Sequence, residues 1–203
     1  MKIIYGTTNK SKINLMKKIL MDMDIEVVGI SEIIADIPII QETGSSPLDN
    51  AIIKSKSYYE IIKMPVFSCD TGLFIEGLND DKQPGVHVRN IKGRSLSDEE
   101  MIHYYSNIAN DFGGTCTAYY QNAICCVTQK GISQSMDSSI ASRKFIITKK
   151  PHNKRKEGFP LDSISIDQQT GEYFIEIKNK DILDVSLGYR NFFQHILEEL
   201  SGE

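Results

Sequence analysis

Tryptophan is absent from the sequence, and cysteine is scarce, present only as Cys69, Cys116, Cys125 and Cys126. These four make no C-x-x-C pair, and no neighbouring histidine completes a zinc pattern, which excludes a metal-stapled or disulfide-rich fold. Reduced, buried thiols are expected instead. Cys125 and Cys126 are adjacent, so on a strand they would face opposite sides. No apolar run approaches the ~20 residues of a membrane span. The opening MKIIYGTTNK lacks the apolar h-region of a secretory signal. The expectation is a soluble, cytoplasmic chain with no membrane partner. A basic excess is also missing: 23 Lys and Arg against 27 Asp and Glu leave a formal net charge of -4. That balance argues against nucleic acid as a partner. Neither a Walker A loop nor a G-x-S-x-G nucleophile elbow occurs.

What is present fits one globular domain over residues 1–203, with 40% apolar and 25% charged residues. Residues 2–5 predict a buried strand ending at Gly6. Thr7-Thr8-Asn9 supply N-cap residues for a helix over 10–21. A second strand is predicted at 25–28, and a long helix at 47–63 with proline in its first turn. Residues 66–69 read as a strand ahead of a Gly/Asp/Asn-rich loop over 77–93. Ser97-Asp98-Glu99-Glu100 resembles a capping box that opens a helix through 108. Residues 115–128 and 132–148 read as the arms of a long hairpin. A basic loop over 149–157, a short strand at 164–166 and a helix at 187–200 complete the pattern. Strands and helices mix without strict alternation, so the class is α/β with a mixed sheet.

Several stretches invite chemistry. In SCDTGL, Asp70 stands between two apolar runs, where a carboxylate is costly unless paired, hydrogen-bonded or metal-bound; it either caps a turn or is kept for a reaction. In GTTNKSK, hydroxyl and amide side chains lead into a helix N-terminus carrying Lys10 and Lys12, a physically sensible phosphate site. QETG places Glu42 ahead of the helix carrying Asn50 and Lys54. Were Glu42 near Asp70, the pair would make a hard-oxygen site suited to Mg²⁺, but spacing does not establish that proximity. QPGVHVRNIKG reads as a Pro-Gly turn in a surface loop. Phe159 lies in a loop after the basic run, as a core plug or a base-stacking ring, and Arg190 sits near the start of the last helix.

Taken in order, these pieces resemble a known family. T-x-N-x-x-K (Thr8, Asn9, Lys12), E-T-G (Glu42-Thr43-Gly44), N-A-x-x-K (Asn50 to Lys54), D-[ST]-G-L (Asp70-Thr71-Gly72-Leu73), P-G (Pro84-Gly85), G-F-x-x-D (Gly158-Phe159, Asp162) and a late Arg190 are similar to the inosine triphosphate pyrophosphatase family, the Ham1-like enzymes that clear non-canonical purine nucleotides. The resemblance implies a two-lobed α/β fold around a long mixed sheet, with the active cleft between the lobes. It implies a homodimer, Mg²⁺ as cofactor, and hydrolysis of ITP, dITP or XTP to the monophosphate and pyrophosphate. By the same resemblance Asp70 is catalytic, as general base or as the ligand aligning the water. Glu42 and Asp70 hold the metal. Thr8, Asn9, Lys12, Lys54, Thr71, Gly72, Phe159, Asp162 and Arg190 bind substrate, with Lys12 and Lys54 on the phosphates and Phe159 on the base. Cys69 replaces the first of two acids usual in the family, Leu161 replaces an aromatic, and Gly188-Tyr189 precede Arg190 in place of Ser-His. A pyrophosphatase with a different base preference, a binding regulator without turnover, and a nucleic-acid module using the basic run 149–156 are the competing readings.

Overall fold

The computed structural model describes residues 1–91, 93–177 and 180–202. In chain order the elements are β1 (Lys2–Tyr5), α1 (Lys10–Ile19), β2 (Glu26–Gly29), α2 (Pro47–Ile62), β3 (Val66–Ile75), β4 (Asn90–Ile91), β5 (Arg94–Ser95), α3 (Asp98–Asp111), β6 (Thr115–Thr128), β7 (Gly131–Ser135), β8 (Phe145–Thr148), β9 (Ser165–Asp167) and α4 (Lys180–Ser201). The main sheet runs β2-β1-β3-β6-β8-β9, with β7 also paired to β6, while β4 and β5 form a separate ladder. β1 is parallel to β2 and β3, whereas β7 and β8 flank β6 antiparallel. The sheet is therefore mixed, as expected. Among the described residues no helix is long and apolar enough to cross a membrane.

The chain groups into two compact units, one of residues 1–71, 121–141 and 182 onward, the other of residues 72–120 and 142–181. Within the first unit, side-chain alternation along the strands decides which helix lies on which face. Ile3, Tyr5, Val27 and Phe67 pack with Ile13, Met16 and Ile19 of α1 and with Phe193 and Ile196 of α4. Their neighbours Ile4, Val28 and Val66 pack with Tyr58 of α2. Thus α1, which follows β1, and α2, which follows β2, cover opposite faces. The carboxyl end of the sheet between β1 and β3 is consequently a topological switch point, the place where α/β sheets bind ligands. The second unit buries Leu73, Ile75, Tyr105, Ala109, Phe145, Ile147 and Leu161 together.

Most predicted elements lie within three residues of those observed, and three differ more. The strand predicted at 66–69 continues to Ile75, through Asp70; Asp70 sits in mid-strand, not in a turn. The second hairpin arm is two strands, because Asp137 turns the chain after β7: its carboxylate accepts from the Ser135 hydroxyl at 2.7 Å and from the Ser139 N–H at 2.7 Å. The last helix begins at Lys180 and carries Gly188 in its interior. A Cβ at Gly188 would lie 2.3 Å from the Ser139 carbonyl oxygen, so close backbone approach explains the glycine. All four cysteines are free and buried, as expected.

Candidate active site

Two glycines allow the site to close. A Cβ on Gly6, at the end of β1, would meet Ser68 Oγ at 2.4 Å and the Tyr58 ring at 2.7 Å. Without one, the Gly6 N–H reaches the Phe67 carbonyl at 2.8 Å and extends the parallel pairing. Gly44 is equally constrained: a Cβ there would lie 2.4 Å from Asp49 Cβ and 2.9 Å from the Asn50 backbone nitrogen. The Gly44 N–H instead donates to Asn50 Oδ1 at 2.8 Å. Ser46 and Asp49 form a capping box next to it, so the strand of chain carrying Glu42 is pinned to the start of α2.

Asn50 and Lys54 are four residues apart on α2 and share one face. Both reach Asp70. Asn50 Nδ2 donates to Asp70 Oδ2 at 3.1 Å, and Lys54 Nζ donates to Asp70 Oδ1 at 3.3 Å. The same ammonium donates to Glu42 Oε2 at 3.1 Å and to the Cys69 carbonyl at 3.3 Å. The three N–H groups of the Lys54 ammonium thus meet three acceptors, and Glu42 and Asp70 are brought together by one cation. The side chains of Lys54 and Asp70 are only 13% and 15% exposed, so this pair is screened far less than a surface salt bridge. Two convergent carboxylates are a donor set that suits a divalent hard cation when substrate oxygens and water complete its shell. Among the described residues no group of three or more metal-ligating side chains occurs.

On the other face of β3, Cys69 packs against Tyr5 and Tyr189. Burial pushes its thiol up to about 11, against the opposing effects of the Tyr5 hydroxyl and the charges of Lys12 and Lys54. Burial raises both tyrosine hydroxyls far above their ordinary range. Lys12 lies within electrostatic reach of β3 and has no acidic partner among the described residues.

The remaining expected residues divide. Thr8 and Asn9 are exposed at the start of α1, but Asn9 Oδ1 accepts the N–H groups of Ser11 at 2.9 Å and Lys12 at 3.2 Å. Asn9 is therefore the helix cap and satisfies two of the N–H groups at this end, beside the ammonium groups of Lys10 and Lys12. Thr71 Oγ1 donates to Asn122 Oδ1 at 2.8 Å, and Gly72 is buried on β3. Arg190 is held elsewhere: its Nη1 donates to the Ile19 carbonyl at 2.8 Å, at the opposite end of α1 from Lys12. The structure does not bring its guanidinium to the α1 N-terminus. In the second unit Phe159 is half-buried, with Lys156 Nζ 4.1 Å from its ring centroid. That ammonium is also 3.5 Å from Oδ2 of buried Asp162. Pro84-Gly85 is no free surface turn, since Gly85 exchanges hydrogen bonds of 2.9 and 3.0 Å with Leu73 of β3. Asn50, Asn122, Lys156 and the two tyrosines were not among the expected site residues. Asn50 carried a signal, its place in N-A-x-x-K one helical turn before Lys54, while Tyr189 stood directly before Arg190 and Lys156 in the basic run; Tyr5 and Asn122 carried none.

The model of the Ham1 family matches residues 3–188. The chain belongs to the Ham1 family. That span includes every residue named at the site except Tyr189 and Arg190. A dITP/XTP pyrophosphatase of Borrelia duttonii is 28% identical over 95% of this chain and 90% of its own length. A dITP/XTP pyrophosphatase of Staphylococcus aureus is 33% identical over 64% of this chain and 62% of its own. Among solved structures, a HAM1 protein from Coxiella burnetii is similar with a TM-score of 0.76 at 21% identity, covering 96% of this chain and 99% of its own. The Staphylococcus aureus Ham1 protein gives 0.71 at 24% identity over 100% of this chain and 99% of its own. These two likenesses concern the Ham1 fold.

Proposed function

We propose that this Ham1 family member hydrolyses non-canonical purine nucleoside triphosphates, of the ITP, dITP and XTP class, to the monophosphate and pyrophosphate. Family membership and the names of the relatives support this. The observation that carries it is the convergence of Glu42 and Asp70 on Lys54 beside the switch point. We assign Mg²⁺ to Glu42 and Asp70; when bound, it would neutralise triphosphate charge. Asp70 accepts the proton of the attacking water as the new P–O bond forms. The α–β anhydride bond breaks, and pyrophosphate leaves with its electron pair. Asn50 and Lys54 each hold one oxygen of Asp70, so the base is oriented before substrate arrives. Lys12 binds the phosphates. Chemistry of this kind relies on positioning and charge more than on a covalent nucleophile.

Phe159 stacks the base, and N–H donors facing position 6 favour the carbonyl of inosine and xanthosine over the amino group of adenosine. Leu161 lies in the core and Tyr189 packs on Cys69, so discrimination should be modest, roughly 10²-fold in kcat/KM for ITP or XTP over ATP. The protein works in the cytoplasm as a homodimer, without nucleic-acid partners; light scattering at micromolar concentration should give twice the mass of one chain. The deciding experiment incubates the protein with a nucleotide panel and Mg²⁺ and separates the products. Monophosphate plus pyrophosphate supports the assignment, whereas diphosphate plus orthophosphate overturns it.

A further inference from the structure

The second unit contains a polar relay ending at Phe159. Residues Lys156 to Phe159 form a β-turn, in which the Phe159 N–H donates to the Lys156 carbonyl at 2.9 Å. Gly158 has φ +78°, the left-handed value that type II turns place on their third residue. A Cβ there would touch nothing, so backbone conformation alone demands the glycine. The N–H of such a residue is not used by the turn itself and is free to bond outside it. Asp98 Oδ2 accepts it at 3.0 Å.

Asp98 is itself held. Its other oxygen accepts from Arg89 Nη2 at 2.7 Å. Arg89 Nη1 donates to the Leu96 carbonyl at 2.9 Å, and the Leu96 N–H returns a 2.9 Å bond to the Arg89 carbonyl. Asp98 also opens α3, where the helix dipole favours a carboxylate. Arg89, first, and then the Gly158 N–H hold its carboxyl below the usual range. A parallel tether joins Arg155 Nε to Glu99 Oε1 at 2.6 Å. On the far side of the turn, Lys156 folds back over the Phe159 ring and reaches Asp162. The turn that carries the ring is thus bonded to Asp98 through the Gly158 N–H.

We propose that Asp98, oriented by Arg89, is a positioning residue for base selection, acting through the Gly158 N–H on the Lys156–Phe159 pair. This rests on Phe159 being the base-stacking residue. It gives the segment around Arg89, which looked like a plain surface loop in sequence, a part in choosing substrate. Charge-assisted hydrogen bonds are about twice as strong as neutral ones, and small misplacements of a binding group are amplified in rate.

The test compares Asp98→Ala, Asp98→Asn and Arg89→Gln with the parent protein. Asp98→Ala should raise KM for dITP about tenfold and lower the dITP-to-ATP preference by a similar factor, with kcat within about twofold, the pattern of lost uniform binding. Asp98→Asn keeps an oxygen for the Gly158 N–H but loses the charge pair with Arg89, so it should fall between Asp98→Ala and the parent, near the roughly threefold effect of Arg89→Gln. Arg89→Gln should move the preference in the same direction by about threefold, as expected for loss of an exposed ion pair's orienting effect. In a Phe159→Ala background, Asp98→Ala should add nothing, because the two act as one unit. Multiplying effects, or an unchanged preference in all three variants, would overturn the proposal. The tether is also read without turnover, as faster amide exchange at Gly158 in Asp98→Ala; unchanged exchange overturns it as well. A parent protein that cleaves no triphosphate sinks the functional assignment, and the exchange measurement then still decides the tether. Should Asp98→Ala fail to fold, Asp98→Asn and Arg89→Gln carry the same comparison.

Discussion

The two units present their polar groups differently. In the first, Asp70, Asn50 and Lys54 all stand on regular elements, β3 and α2, and their geometry follows from strand alternation and helical spacing. In the second, Phe159 lies in a turn, and its placement depends on a relay of side chains from Arg89 through Asp98. Groups that must not move belong on rigid elements, while groups that select among similar ligands are adjustable on loops. The first arrangement resists change until a partner is removed. The second responds to small changes at a distance.

The largest test of that contrast is Asp70→Asn, which should lower kcat by a factor on the order of 10²–10⁴, the usual worth of a positioned acid or base. The fold should persist, since asparagine has the shape of aspartate and its oxygen still accepts from one of the two donors, Asn50 or Lys54. An unchanged rate, measured by pyrophosphate release, would remove Asp70 from the chemistry. Phe159→Ala should cost about 1–3 kcal/mol in kcat/KM for dITP, the typical worth of a base–aromatic stack, with the thermal midpoint nearly unmoved. Gly44→Ala forces a methyl against Asp49 and the Asn50 backbone and should destabilise by about 1–3 kcal/mol. Chemical denaturation checks this, and an unchanged midpoint would mean the Glu42 segment is not pinned. Lys12→Ala should raise KM about tenfold with kcat nearly constant, because a phosphate-binding cation acts in ground and transition states alike.

The smallest expected effect concerns acid. The Ser97 N–H, then Arg94, hold Glu100 at about 2, and the Ser46 and Ser45 groups lower Asp49. A carboxyl depressed on folding stabilises above its ordinary titration range, and that contribution fades as pH falls through the depressed value. Helix α3 should therefore loosen between pH 4.5 and about 2. Glu100→Gln should flatten this part of the acid curve seen by circular dichroism.

Much of the first unit was legible in sequence. Short β-branched apolar runs marked β1 and β2 and helical spacing marked α1 and α2, and in the second unit the Ser97 capping box marked α3, because each signal is local. The end of β3 was hidden, since Asp70 and Thr71 look like a turn until α2 and Asn122 supply their partners. That Glu42 reaches Lys54 was equally out of view; contact over twelve residues depends on a loop folding back through Gly44. Arg190 makes a contact that was equally out of view. Its guanidinium donates to the Ile19 carbonyl of α1, a partner 171 residues away. The Asp98 relay left no local trace, because its partners lie nine and sixty residues away.

The adjacent thiols of β6 give the protein a built-in two-channel recorder. Cys125 is sealed beneath Ala51 of α2, and Cys126 beneath the layer that includes Phe193 and Ile196 of α4. Burial pushes the first up to about 11 and the second higher still, so neither reacts with an alkylating reagent until its cover departs. The ratio of label on the two sulfurs during a pulse, read by mass spectrometry, reports which helical layer opens first and how often.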